Sequence, residues 1–120
     1  MTRIGITTLF TAFLLFLPLV FADVPEEQKA EVQHLIDYLA QSGCSMIRNG
    51  KSHSAVKGVK HIQKKYDYFR DDISSTEEFI EYSATKSTRS DKYYVVECPG
   101  QEPVLSRDWL LAELAVYRKS

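Results

Sequence analysis

Two cysteines, Cys44 and Cys98, constrain this chain more than any other feature, because a small domain closed by one long covalent loop has few ways to fold. What they do depends on their compartment, and the first residues address that. Met1-Thr2-Arg3 carries one positive charge, and residues 4–21 are almost wholly apolar and uncharged, broken near the end by Pro18. Val20-Phe21-Ala22 has the small-x-small cleavage pattern. Residues 1–22 therefore read as a secretory signal peptide cut after Ala22, and residues 23–120 as a single exported domain, periplasmic or secreted. The competing reading is an uncleaved anchor, since the run approaches the length that spans a bilayer. Pro18 and the switch to Asp23-Val24-Pro25-Glu26-Glu27 favour cleavage, which leaves no stable membrane anchor.

In an oxidising compartment the default for two cysteines is one disulfide. Closing so long a loop contributes about 4 kcal/mol on the chain-entropy account, a large share of a small domain's stability. Two free thiols are an alternative, as is a metal site drawing on His34, His53 or His61. None of these residues has the close pairing that fixes zinc, so no metal and no cofactor is expected. Of the 15 Lys+Arg only Arg3 falls in the leader, leaving 14 against 16 Asp+Glu, a net charge near −2. Nucleic-acid binding requires a strongly basic surface, so that class of partner is set aside.

The periodicities predict a small α+β domain in the order helix, strand, helix, helix, strand, helix. Pro25-Glu26-Glu27 suits a helix start, Val32, Leu35, Ile36 and Leu39 recur at helical spacing, and Gly43 is a natural left-handed stop. Residues 44–48 form a short strand ending at Asn49-Gly50. Ser54 then caps a second helix with a buried stripe of Val56, Val59, Ile62, Tyr66 and Phe69. Ser75-Thr76-Glu77-Glu78 is a capping box for a third helix with Phe79, Ile80, Ser83 and Ala84 inside. The best strand is Tyr93-Tyr94-Val95-Val96-Glu97-Cys98. After Pro99-Gly100, Ser106 caps a last helix whose Trp109, Leu110, Leu114 and Tyr117 face inward. The two strands pair as an antiparallel ribbon covered by helices, since two strands alone are marginal in water. With Cys44 opposite Cys98, Met46 faces Val96 and Arg48 faces Tyr94. That register brings the Arg48-Asn49-Gly50 turn beside residues 87–91.

Ser42-Gly43-Cys44, Arg48-Asn49-Gly50 and His53-Ser54-Ala55, followed by residues 75–80, 86–90, 94–98 and Ser106-x-x-Trp109-Leu110, resemble in order the motifs of a known family. It is the YfeK-like family of short exported bacterial proteins, a domain of unknown function numbered fifty-three twenty-nine in its series. The resemblance covers nearly all of residues 23–120. It implies export and a compact domain, with no known reaction or ligand. Members often carry Ser-Gly where this chain has Ser90-Asp91, and some lack the cysteines, which implies that the disulfide stabilises rather than reacts.

The densest group of chemically able side chains is Arg48, Asn49, His53, Ser87 and Ser90, where two polar segments converge at one end of the ribbon. Arginine, histidine and the start of a helix can hold a carboxylate or phosphate. The plainer account is that Asn49-Gly50 only turns the chain and Arg48 pairs with a carboxylate to fix the turn. Lys57, Lys60 and Lys64 line one side of the second helix, with His61 nearby, and read as a solvated face balanced by Glu77, Glu78 and Glu81. The aromatic residues fall mainly at core spacing, with Tyr68 or Tyr93 as possible exposed platforms. The leading expectation is a non-enzymatic binding or interaction module of the cell envelope, taking a small anionic ligand or an envelope protein. The alternative is a small cell-envelope hydrolase with His53 as general base and Arg48 holding an anion. A third reading is a structural component recruited through an exposed apolar patch.

Overall fold

The computed structural model describes residues 23–120; the leader and its cleavage position lie outside the described residues. Helix α1 runs Glu26–Gln41, and Gly43 follows with φ +69°, a left-handed conformation that glycine adopts most readily. Strand β1 (Ser45–Arg48) turns through Asn49 (φ 51°) and Gly50 (φ 77°) into β2 (Lys51–Ser54). Helix α2 (Ala55–Phe69), a 3₁₀ turn (Arg70–Asp72) and helix α3 (Thr76–Ala84) come next. Strands β3 (Val95–Glu97) and β4 (Val104–Leu105) lead into helix α4 (Ser106–Lys119).

The expected ribbon is the centre of a four-stranded antiparallel sheet ordered β2-β1-β3-β4. Its register is the one the cysteines imply: Ser45 opposite Glu97, Met46 opposite Val96, Ile47 opposite Val95, with a Cys44–Cys98 disulfide spanning 54 residues. The two outer strands are additions. Asn49-Gly50, with both residues at positive φ, makes the two-residue turn that matches the natural twist of a hairpin, so residues 51–54 pair back on β1. Lys51-Ser52-His53-Ser54 contains no apolar residue because it is an exposed edge, where polar side chains also discourage pairing with another chain. The β4 strand is only two residues, pairing Val95 with Leu105 and Val96 with Val104.

The four helices and the sheet enclose one core, with Leu35, Leu39, Met46, Ile73, Phe79, Ile80, Val96 and Leu110 all buried. Truncating any of the larger of these to alanine costs roughly 2–5 kcal/mol. Helix α2 lies close on β1: a Cβ on Gly58 would sit 3.2 Å from the Met46 Cβ, so glycine sets the approach. That approach corrects the predicted stripe. Ala55, Gly58, Ile62 and Tyr66 are buried, while Val56, one step round the helix, is 56% exposed.

Two caps also differ from expectation. Ser75 accepts from the Glu78 amide at 3.0 Å, but the Glu78 carboxylate accepts from the Ser74 hydroxyl instead of reaching back, so half of the capping box forms. Ser106 is the first residue of α4 and not its cap. Leu105 holds the cap position without a side-chain bond, and the Ser106 hydroxyl is buried without a partner among the described residues. Ser54 caps α2 as expected, accepting from the Lys57 amide at 3.3 Å.

Candidate functional site

The turn after β1 and the loop before β3 meet as the register requires. Ser87 organises the loop: its amide donates to the Lys92 carbonyl at 2.9 Å, its carbonyl accepts from the Asp91 amide at 3.0 Å, and its hydroxyl accepts from the Arg89 and Ser90 amides. Asp91 sits at φ 58°, the left-handed conformation that aspartate tolerates and glycine favours, so the turn forms without glycine. Asn49 bridges the two segments, its amide donating to Ser87 Oγ at 3.5 Å and its carbonyl oxygen accepting from the Ser90 hydroxyl. Asn49, Ser87 and Ser90 are thus one cluster.

Arg48 stands beside that cluster and opens into a cleft of about 440 Å³. The walls come from the β1–β2 turn (Arg48, Asn49), one face of α2 (His61, Lys64, Lys65, Tyr68, Phe69), the loop residues Ser87, Thr88 and Arg89, and Tyr94. No carboxylate lines it, whereas Arg48, Lys64, Lys65 and Arg89 do. The expected partner for Arg48 is missing: no ion pair reaches it among the described residues, and its Nε is buried without a hydrogen bond. Burial without a partner is costly for a guanidinium, which makes this atom an acceptor-seeking group.

The cation's field is felt by everything around it. Burial, then the charges of Arg48 and Lys65, push His61 down to about 4, so the imidazole is neutral near pH 7 and shares a 2.9 Å hydrogen bond with the Tyr94 hydroxyl. Burial and then Arg48 also lower Lys65, whose ammonium donates to the Lys86 carbonyl at 2.7 Å and to Tyr94 Oη at 3.3 Å. Burial raises Tyr94 against the opposing pull of Arg48, and its ring is almost fully buried.

The remaining sequence candidate, His53, is placed otherwise. It pairs opposite Met46, which puts it on the Arg48 face of the sheet, but it does not line the cleft. Desolvation, then Arg48, Lys57 and Lys51, hold its imidazole below the ordinary range. Of the basic stripe on α2 only Lys64 reaches the cleft. Nor do the α3 acids balance that stripe as predicted: Glu77 is bound by Arg118 and Glu78 by Ser74. Glu78, Glu81 and Asp91 line a neighbouring depression of about 530 Å³, where Asp91 pairs with Lys86 at 3.4 Å.

His61, Lys65, Arg89 and Tyr94 are the site residues that sequence reasoning passed over. Their signal was present: His61, Lys64, Lys65 and Tyr68 fall at helical spacings that share one face. Recognising it needed the knowledge of which face turns toward the end of β3.

Residues 26–118 match the family of unknown function DUF5329. The uncharacterized protein YfeK of Salmonella typhimurium is 32% identical over 84 residues, which cover 69% of each of the two chains. No solved structure matches this chain.

Proposed function

We propose, from the premise that this chain belongs to the DUF5329 family of unknown function, that it is an exported, non-enzymatic binding module of the cell envelope whose cleft takes a small anionic ligand. The observation that carries the reading is Arg48, with a buried, unbonded guanidinium nitrogen in a cleft that holds three further cations and no carboxylate. An arginine so placed suits a carboxylate or phosphate, which its guanidinium would hold by charge-assisted hydrogen bonds. The disulfide fits an oxidising compartment and hence the export that the leader suggests.

The hydrolase alternative has less support. His53 lies outside the cleft, and the hydroxyl of its neighbour Ser54 is taken up by the Lys57 amide. Inside the cleft, His61 with a value of about 4 is a weak base for work near neutral pH.

The test is a thermal-shift panel on residues 23–120, oxidised, against inorganic phosphate, short carboxylates and neutral sugars. A ligand at one hundred times its Kd adds about 2.7 kcal/mol, which moves the midpoint of a domain this size by roughly 10 °C or more. Anions should raise the midpoint of the wild type and of Lys119→Ala, and leave Arg48→Ala unmoved. A panel flat for every anion, or a shift that survives in Arg48→Ala, overturns the reading.

A further inference from the structure

Three aromatic rings line the cleft, and they are not equivalent. Tyr94 is almost fully buried, with the Lys65 ammonium 5.1 Å from its ring centre. Phe69 is half-buried and has the same ammonium at 6.0 Å. Tyr68 carries no such cation among the described residues, meets only the Phe69 ring in an edge-to-face contact at 4.8 Å, and is 82% exposed. A tyrosine held at the rim of a cationic cleft with its ring open to solvent is an exposed stacking surface.

The arrangement also has a direction. His61, beside the Tyr94 hydroxyl, and Tyr68 are seven positions apart on α2, so they lie two turns, or about 10 Å, apart along one face. The unbonded Arg48 nitrogen belongs to the His61 end, whereas the adjoining depression sets the acids Glu78, Glu81 and Asp91 beside Lys65 and Lys86. An anionic head is therefore drawn to one end and an apolar body to the other.

Resting on the anion-binding reading, we infer that the ligand class is an amphiphilic anion with a flat ring, its head held by Arg48, Lys65 and Arg89 and its ring stacked on Tyr68. A free inorganic anion or a wholly polar anionic sugar would leave the Tyr68 surface unused. An aliphatic anion would fill the space but gain little from ring-on-ring contact.

The closing experiment measures Kd by titration calorimetry for naphthyl phosphate against butyl phosphate, and for naphthoate against butanoate, so that either head chemistry registers. In at least one pair the wild type should bind the aryl member about tenfold tighter, the size expected of one aromatic contact with its buried area. Tyr68→Ala should erase that preference while still binding the alkyl anion, and Tyr68→Phe should keep it. Because Tyr68 is exposed, neither substitution threatens the fold. Arg48→Gln should weaken aryl and alkyl anions alike. Equal affinity for aryl and alkyl anions, or a preference that persists in Tyr68→Ala, overturns this inference and leaves the anion-binding reading standing. Absence of binding by all four probes overturns both.

Discussion

Arg118 and Arg48 occupy opposite ends of the same electrostatic problem. Arg118 reaches from α4 to Glu31 on α1 with bonds of 2.6 and 3.0 Å and to Glu77 on α3 at 2.5 Å. Glu31, mostly buried, also accepts from the Thr76 hydroxyl at 2.7 Å, and the Thr76 amide donates to Gln28 at 2.8 Å. Every charge in that region has an answer within the fold, and three helices are held together by it. Around Arg48 the cations gather with no acid lining the cleft, and a buried nitrogen goes unbonded. Matched charge acts as an internal fastening; unmatched charge, as at Arg48, is kept at a cost in stability.

The largest perturbation acts on both regions at once. Reducing the Cys44–Cys98 bond, or replacing both cysteines with serine, should cost about 4 kcal/mol for a loop of 54 residues and lower the melting midpoint by roughly 15 °C or more. Calorimetry with and without reductant checks it. A smaller effect separates the regions. Glu31→Ala should destabilise by about 1–2 kcal/mol, because hydrogen bonds from Arg118 and Thr76 are lost together. Arg48→Gln should leave stability unchanged or slightly raised, since it relieves repulsion from Lys64, Lys65 and Arg89. Denaturant midpoints of the two variants, measured side by side, would break the comparison if Arg48→Gln proved the more damaging.

Another effect is a matter of pH. Unfolded His61 takes up a proton near 6.5, whereas the folded imidazole resists until about 4. Across that window the unfolded state binds more protons, so stability falls as the pH is lowered. Paired carboxylates, at Glu31 and at Asp23 beside Arg70, answer in a lower window. The Arg118 hydrogen bond holds Glu31 below its usual 4.5 despite burial. At Asp23, burial opposes ionisation but is outweighed by bonds from Tyr66, the Val24 amide and Arg70. These carboxylates contribute stability above their ordinary range and lose it only as the pH falls through their lowered values. Melting midpoints recorded from pH 7 to pH 4 should therefore slope less in His61→Gln than in the wild type. Identical slopes would remove His61 from the account.

What the sequence discloses follows how locally each feature is determined. The four helices carry their own periodicity and stops, and Cys44 with Cys98 defines the central register, because a slip of one residue would turn Met46 and Val96 away from the core. The β2 strand was legible only in its Asn49-Gly50 turn, since an edge strand of Lys, Ser, His and Ser has no apolar alternation to read. The meeting of Asn49 with Ser87 and Ser90 follows from register alone. The cleft does not. Which face of α2 turns toward Tyr94 is set by how closely Gly58 lets the helix approach Met46, a tertiary fact with no signature in local spacing.

The disulfide has a further, topological consequence. Residues 44–98 form a closed covalent ring that contains both sheet strands of the central pair, α2, α3 and every residue lining the cleft, while α1 and α4 are tails outside it. A single backbone cut anywhere in the ring, the exposed residues 88–92 included, leaves one molecule with its helices still attached. A cut before Cys44 or after Cys98 frees a tail helix. The part of the chain that builds the cleft is thus the part that scission alone cannot detach.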